Sequence, residues 1–226
     1  MKRSLINQSI KRSIEAINKG NLKLPDFAYL SFSEWQNKKK EIDVVQKTMM
    51  GWDVTDFGNE DFDNLGAVLF TIRNGDEKDT SIGTPYAEKL IVLRPNQRLP
   101  IHMHIKKSED IINRGGADFE IKLYNTAKDG GVDYETEVEV YCDGFKRTVA
   151  PGEIIRITKG NSITLKPYCY HSFWGAAGAE DAVIGEVSSI NDDNDDNCFA
   201  EKVNRFSKVD EDEAILCPLC NEYHLL

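Results

Sequence analysis

The sequence predicts a mainly β protein, an antiparallel barrel with N-terminal α-helices packed on it. Two observations lead to this fold class. An apolar stripe at helical spacing lies near the start of the chain. After residue 66, short segments rich in β-branched residues follow one another, with turn-forming residues between them, as in a sandwich or barrel. Strands are predicted over 67–73, 87–94, 118–125, 136–142, 153–160, 161–167 and 181–189.

The N-terminal part is predicted to contain two helices. The first covers residues 4–19 and is followed by Gly20, which can cap its C-terminal end. A second helix is predicted over about 33–40, where Ser33 can cap the helix and Glu34 lies in its first turn. The apolar stripe of the first helix is made of Ile6, Ile10, Ile14 and Ile17.

Composition divides the chain into three parts. Residues 1–62 are predicted to form a helical extension, residues 63–190 the β-barrel with the functional site, and residues 191–226 a segment that closes over the barrel. The segment 49–66 is rich in glycine and aspartate and is predicted to be irregular. The run "NDDNDDN" over 191–197 predicts a surface loop.

Charge and hydropathy exclude several classes of partner. The 226 residues carry a formal net charge of −10 with a pI near 5.0, which argues against nucleic acid because phosphate binding requires a basic face. No stretch approaches the ~18 consecutive apolar residues of a membrane span, and no secretory signal is evident. The chain is therefore predicted to be cytoplasmic. Its five irregularly spaced cysteines are typical of reduced thiols.

The segment "PIHMHIKKSEDIINRGG" suggests a metal site. In a strand, the side chains of His102 and His104 point to the same face, and their Cα atoms are separated by roughly 6.6 Å, at ~3.3 Å of rise per residue. Glu109 can join them only if the chain turns first, because strict alternation places it on the other face. His171, on a late strand, is predicted to reach the same ion. Imidazoles with one carboxylate suit zinc, manganese, iron, cobalt or nickel, and do not suit calcium.

This segment resembles the first cupin motif, H-x-H followed by a glutamate and a glycine, here ending at Gly116. The segment "GNSITLKPYCYHSF" resembles the second motif through Gly160, Pro167 and His171, although "PYCYH" departs from the common P-x-G-x-x-H and the usual trailing asparagine is missing. The resemblance implies a cupin fold, a jelly-roll barrel or double-stranded β-helix, with one metal ion. It does not fix the activity, since the fold hosts many chemistries.

Three stretches together resemble the D-lyxose isomerase family of bacterial cupins: "AEKLIVLRPNQRLPIHMHIKKSEDIINRGG", "LKPYCYHSFWG" and "EVSSINDDNDDNCFAEKVNRF". The resemblance implies interconversion of D-lyxose and D-xylulose, with D-mannose and D-fructose as secondary partners, through a metal-stabilised enediol. It implies a divalent ion, preferably manganese, with zinc or cobalt as alternatives, and a homodimer. The implied ligands are His102, His104, Glu109 and His171.

The resemblance also suggests catalytic roles. Glu201 is assigned as the base for proton transfer, and Lys107 as its acidic partner or as the group that stabilises the oxyanion. Lys89 and Arg205 are assigned to binding of sugar hydroxyls. Asp110 directly follows Glu109 and is expected to face away from the metal. The aromatic residues Trp52, Tyr170, Phe173 and Trp174 suit a sugar cavity but are more typical of the core.

The residues alone leave other functions open. Three histidines and a glutamate on iron would also suit a cupin dioxygenase, and a non-catalytic sugar-binding cupin would need the same cavity. The C-terminal "CPLC", followed by His224, could form half of a zinc site, but a fourth ligand is not evident, and Cys217 and Cys220 are predicted to be two reduced thiols.

Overall fold

A computed structural model describes residues 1–192 and 195–226 of the chain. Three α-helices lie in its N-terminal quarter: α1 (Arg3–Lys19), α2 (Phe32–Asn37) and α3 (Asp43–Lys47). The first half of the strands comprises β1 (Gly51–Thr55), β2 (Ala67–Gly75), β3 (Gly83–Leu93), β4 (His102–His104), β5 (Glu109–Gly116), β6 (Phe119–Thr126) and β7 (Val132–Asp133). The second half comprises β8 (Val138–Cys142), β9 (Phe145–Val149), β10 (Ile154–Ile157), β11 (Ser162–Leu165), β12 (Cys169–Gly175), β13 (Ala182–Ser189) and β14 (Asn197–Phe199). Short 3₁₀ helices cover Asp26–Tyr29 and Tyr223–Leu225.

The strands form two antiparallel sheets that enclose the main core, which confirms the predicted fold class. The larger sheet has the order β1-β2-β3-β13-β5-β11-β8-β9. The smaller sheet has the order β10-β6-β12-β4-β14, with β7 paired to β6. Alternate residues of the strands point inward, as Ile121 and Leu123 of β6 show, and join the inward residues of the other sheet in one apolar cluster.

Helix α1 packs on the outer face of the larger sheet. Ile6, Ile10 and Ile17 are buried against Trp52 and Phe70 in a second apolar cluster, so the predicted isoleucine stripe is part of the core. The observed helix begins one residue before the predicted start and ends at the predicted residue. Among the described residues, no helix is both long enough and apolar enough to cross a membrane.

The C-terminal segment is fastened to the helix and to the smaller sheet. Strand β14 pairs with β4. The buried guanidinium of Arg3 donates from Nε to Glu211, at 2.9 Å, and from Nη1 to Glu222, at 3.1 Å. This buried cation and its two carboxylate partners anchor the C-terminal segment to α1.

The observed strands differ from the predicted ones at β1 and β9, among other places. The segment predicted to be irregular contains β1, all five residues of which are buried. The apolar Trp52 and Val54 do alternate with the polar Asp53 and Thr55, but this short pattern lies among glycines and aspartates, which are typical of loops. Strand β9 was not predicted because it lies at the sheet edge, and four of its five residues are exposed.

The second helix begins earlier than predicted, with Ser31 rather than Ser33 as its N-cap. The Ser31 hydroxyl accepts a hydrogen bond from the Glu34 backbone N–H at 3.4 Å, and the Glu34 carboxylate accepts from the Ser31 N–H at 2.8 Å. This reciprocal pair is a capping box. It holds the turn that buries Trp35 against Tyr223, with ring centroids 5.2 Å apart.

We expect Ser31→Ala to lower the free energy of unfolding by about 1 kcal/mol, because an N-cap hydroxyl that pairs with the first turn stabilises a helix by roughly that amount. Ser33→Ala is the matched control, and its effect should stay within about 0.5 kcal/mol, as for an ordinary surface substitution. Urea unfolding monitored by tryptophan fluorescence measures both. An equal loss in the two variants would contradict the assignment of the cap.

Candidate active site

Three histidines meet inside the barrel. His102 and His104 lie on β4 and point inward together, and His171 on β12 is the direct register partner of His102. One ring nitrogen of each histidine lies within 4.8 Å of those of the other two, and all three side chains are buried. The structure therefore brings together the three histidines that the sequence predicted.

Glu109 reaches the same point from the opposite sheet. The chain turns after β4 and re-enters at β5, of which Glu109 is the first residue. Its Oε1 atom lies 3.4 Å from Nε2 of His104 and 3.2 Å from Nε2 of His171. The turn that the sequence required between the H-x-H pair and the glutamate is present.

The donor atoms of this cluster fit a metal ion. Glu109 Oε1 and His171 Nε2 are both buried without a hydrogen-bond partner among the described residues, although they face each other. The Nδ1 atoms of His102 and His171 lie 2.9 and 3.0 Å from the carbonyl oxygens of Pro100 and Cys169. A carbonyl only accepts, so Nδ1 carries the proton and each Nε2 keeps its lone pair for a cation.

Protonation states also favour cation binding. Burial, together with the neighbouring His171 and His104, lowers the pKa of His102 well below its ordinary value. Burial by itself would raise the pKa of Glu109, but the Lys107 ammonium together with the neighbouring His104 and His171 outweighs it, and the pKa falls well below its usual range. Neutral imidazoles and an ionised carboxylate are the forms that bind metal. Burial raises the pKa of the Cys169 thiol to about 12, so no thiolate competes there.

A buried group of lysines and glutamates lies beside the metal ligands. Lys107 Nζ is 2.9 Å from Glu109 Oε2 and 2.8 Å from Glu186 Oε1. Lys89 Nζ donates to Asn191 Oδ1 at 2.6 Å and lies 3.6 Å from Glu186 Oε1. Burial by itself raises the pKa of Glu186, yet Lys107 and Lys89 reverse the shift and lower it. Glu186 is therefore held as a carboxylate.

Sequence reasoning missed Glu186, although a signal was present. The segment 181–189 was correctly predicted as a strand, and Ile184 belongs to the main core. Because residues two apart in a strand share a face, Glu186 must point into the barrel with Ile184. A carboxylate that faces a barrel interior requires a partner or a function.

The cavity that contains these groups has polar and apolar walls. His102, His104 and Glu109 line it together with the lysine–glutamate group, and Phe57, Phe173 and Phe199 add apolar surface. Of the aromatic residues considered from the sequence, only Phe173 lines this cavity. Trp52 and Tyr170 pack in other clusters, and Trp174 donates to Glu120 at 2.9 Å.

Arg205 enters the cavity from the C-terminal segment. Its Nη2 atom lies 2.7 Å from Oδ2 of Asp53, a buried residue of β1. The same guanidinium packs over the ring of Phe206, 4.7 Å from the ring centroid. Three residues assigned to the site from the sequence therefore line one cavity: Lys89, Lys107 and Arg205.

The structure does not bring Glu201 to this cavity. Its carboxylate is bound by both terminal nitrogens of Arg98, at 2.7 and 2.8 Å, and accepts from the Ile101 N–H at 2.8 Å. It lines a separate surface depression beside Arg98. The hydrogen bonds from Arg98 lower the pKa of Glu201. Its position therefore supports an anchoring role for the C-terminal segment and gives no support to its assignment as the base.

The remaining candidates lie outside the cavity. Asp110 faces away from Glu109 and accepts a hydrogen bond from Thr164 Oγ1 at 2.5 Å, as expected. Cys217 and Cys220 are buried, and His224 is exposed at the surface. The potential metal cluster found among the described residues does not include them.

Comparison with known proteins places the chain in a family. A sequence model described as D-lyxose isomerase matches residues 1–223. Proteins named D-lyxose/D-mannose isomerase from Serratia proteamaculans and Escherichia coli O157:H7 are 41% and 40% identical over 224 residues, 99% of this chain and 98% of each relative. An L-ribose isomerase of Cellulomonas parahominis, solved with L-psicose, shares the fold, with a TM-score of 0.55 and 14% identity over 93% of this chain and 98% of the other. On the strength of the match along almost its whole length, the chain belongs to the D-lyxose isomerase family of sugar isomerases.

Proposed function

We propose that the protein is a divalent-metal-dependent aldose–ketose isomerase that interconverts D-lyxose and D-xylulose and, secondarily, D-mannose and D-fructose. The observation that carries the proposal is a three-histidine, one-carboxylate cluster beside a second buried carboxylate held between two lysines. The names of the two relatives support the choice of sugars. Family membership favours this activity over the dioxygenase and the non-catalytic binding protein.

His102, His104, His171 and Glu109 would hold the ion. Bound there, a divalent cation would polarise the sugar carbonyl and stabilise the negative charge that develops as the adjacent proton leaves. Manganese is the proposed metal, with zinc or cobalt as alternatives, since the same imidazole and carboxylate donors bind several first-row ions.

Glu186 is the best-placed group for proton transfer. The isomerisation removes the proton on C2 of the aldose and returns a proton to C1, while a hydroxyl proton moves from the C2 oxygen to the C1 oxygen. A carboxylate can carry the first proton in both directions. Glu186 is ionised, buried and adjacent to the ligand cluster through Lys107. The role assigned to Glu201 from the sequence therefore passes to Glu186.

The lysines and the arginine would position the sugar. The Lys107 ammonium lies between the metal ligand Glu109 and the proposed base Glu186. From there it can donate to the sugar oxygen on which negative charge develops. Lys89 and Arg205 can donate to more distant hydroxyls from two other walls of the cavity. The phenyl rings that line the cavity offer an apolar surface for the C–H face of the sugar.

We expect the purified protein, stripped of metal and supplied with Mn²⁺, to form D-xylulose from D-lyxose under anaerobic conditions, and to form no ketose while a chelator is present. Ketose release is followed by chromatography. Zn²⁺ and Co²⁺ added to the same metal-free preparation rank the ions. Oxygen uptake on another substrate, with no ketose from any aldose, would contradict the proposal.

The assembly and the compartment stay predictions of the sequence. We expect a homodimer in the cytoplasm with a pentose or hexose as its small-molecule partner and with no nucleic acid or membrane partner. Light scattering of the metal-loaded protein measures the oligomeric state.

A further inference from the structure

We propose that Asp196 is a positioning residue that sets the tautomer of His104 and so prepares it to bind metal. The proposal rests on the metal dependence proposed above. Asp196 belongs to the acidic run that the sequence identified only as a surface loop, and nothing in the reaction scheme uses it. It is 3% exposed, whereas its neighbour Asp195 is exposed.

The carboxylate of Asp196 is bound almost entirely by backbone groups. Its Oδ1 atom accepts from the N–H groups of Ile105 and Lys106 at 2.9 and 2.7 Å, and its Oδ2 atom accepts from the Lys107 N–H at 3.2 Å. These residues form the turn that carries the chain from β4 towards Glu109. Three converging N–H donors therefore fix the position of this buried carboxylate.

The same carboxylate faces the ring of His104. Its Oδ2 atom lies 3.6 Å from Nδ1 of His104, which is buried and has no hydrogen-bond partner among the described residues. This distance is longer than a hydrogen bond. Backbone pairing of Asn197 with His104 holds the two strands together. A small rotation of the His104 ring on metal binding would therefore bring Nδ1 within hydrogen-bond distance of the Asp196 carboxylate.

Comparison with the other two histidines shows why an acceptor is needed there. His102 and His171 each direct Nδ1 at a backbone carbonyl, at 2.9 and 3.0 Å, which leaves Nε2 for the metal. Nε2 of His104 likewise faces the ligand carboxylate of Glu109, at 3.4 Å. Asp196 supplies at His104 the acceptor that carbonyls supply at the other two rings. An anionic acceptor also increases the basicity of the ligating nitrogen.

Asp196→Asn tests this role with little change in shape. The amide oxygen can still accept from two backbone N–H groups, but the amide NH₂ would face His104 and favour the tautomer whose proton is on Nε2. We expect the affinity for Mn²⁺, measured by calorimetry, to fall about 10–100-fold, the usual cost of losing such an outer partner. Asp195→Asn removes the same charge one residue away and should change the affinity less than about twofold, as expected for an exposed residue.

A second measurement reads the tautomer directly on the wild-type protein. Long-range ¹⁵N NMR of the metal-free wild-type protein should show His104 protonated at Nδ1, with its signals assigned through His104→Gln, and Asp196→Asn should move the proton towards Nε2. A wild-type ring protonated at Nε2, or equal metal affinities in the two aspartate variants, would overturn the inference. If the wild-type protein binds no divalent ion, the proposed function fails, while the tautomer of His104 still decides the role of Asp196.

Discussion

Glu186→Gln is expected to lower kcat for D-lyxose by about 10²–10⁴-fold, the usual contribution of a positioned general base. Glutamine keeps the shape of the side chain but cannot accept the proton. The neighbouring lysines keep other partners, because Lys107 remains 2.9 Å from Glu109 and Lys89 remains 2.6 Å from Asn191. Folding and metal binding should therefore survive, and the loss should appear in kcat rather than in metal content.

Glu201→Gln is the control for this experiment. Its carboxylate is 31% exposed and is paired with Arg98, which is 37% exposed, so loss of the pair should lower stability by no more than about 1 kcal/mol. Turnover should stay within about threefold of wild type, as for a residue that does not touch the reacting atoms. Steady-state assays at saturating Mn²⁺, with metal content measured on the same samples, compare the two variants. A large loss in Glu201→Gln with normal turnover in Glu186→Gln would return the base to Glu201.

The contrast between these two glutamates shows what the sequence could predict. The H-x-H pair lies on one strand, so strand alternation alone placed His102 and His104 together. Lys107 lies two residues before Glu109, which allowed the prediction that both face one cavity if the chain is extended there, and the structure places their side chains 2.9 Å apart. Local periodicity thus predicted the residues close in sequence.

Sites built from distant strands depend on register, which local periodicity does not give. Glu186 faces Lys107 because β13 pairs with β5 in a register that places Ser188 opposite Glu109. Glu201 follows β14 on the edge of the smaller sheet, where the chain turns outward towards Arg98. A shift of one residue in either pairing would reverse which side chains point inward. The family resemblance implied four metal ligands, which the structure brings together, and a base at Glu201, which the structure places beside Arg98 and outside the cavity.

The fold shows the same division. Strands with polar and apolar residues in alternation, such as β6, were predicted within a residue or two. Strand β1 also alternates, but over few residues and among glycines and aspartates, and what buries its polar side chains is distant in sequence: Asp53 pairs with Arg205, and Thr55 donates to the Arg205 carbonyl at 3.0 Å. Arg205 lies about 150 residues away along the chain, and no local sequence pattern indicates a contact over that separation.

Glu109→Gln is expected to weaken Mn²⁺ binding by at least about 100-fold, since loss of even an outer partner of a ligand costs 10–100-fold. The amide is a poorer donor than the carboxylate, and Lys107 loses one of its two anionic partners. Two buried imidazole nitrogens, on His104 and His171, would then face a neutral group at 3.2–3.4 Å. Activity should fall with metal occupancy, and raising the Mn²⁺ concentration should restore part of it.

Asp110→Asn provides the matched comparison, one residue along the same strand. Its side chain points to the opposite face and accepts from Thr164 Oγ1, a bond that an amide oxygen can keep. Metal affinity measured by calorimetry should change less than about twofold, because the lost charge is outside the ligand cluster. Equal weakening in both variants would mean that negative charge near β5, and not a ligand bond from Glu109, holds the ion. If Glu109 is a direct ligand, its substitution removes most of the metal affinity, whereas the same substitution at the adjacent Asp110 leaves the affinity nearly unchanged.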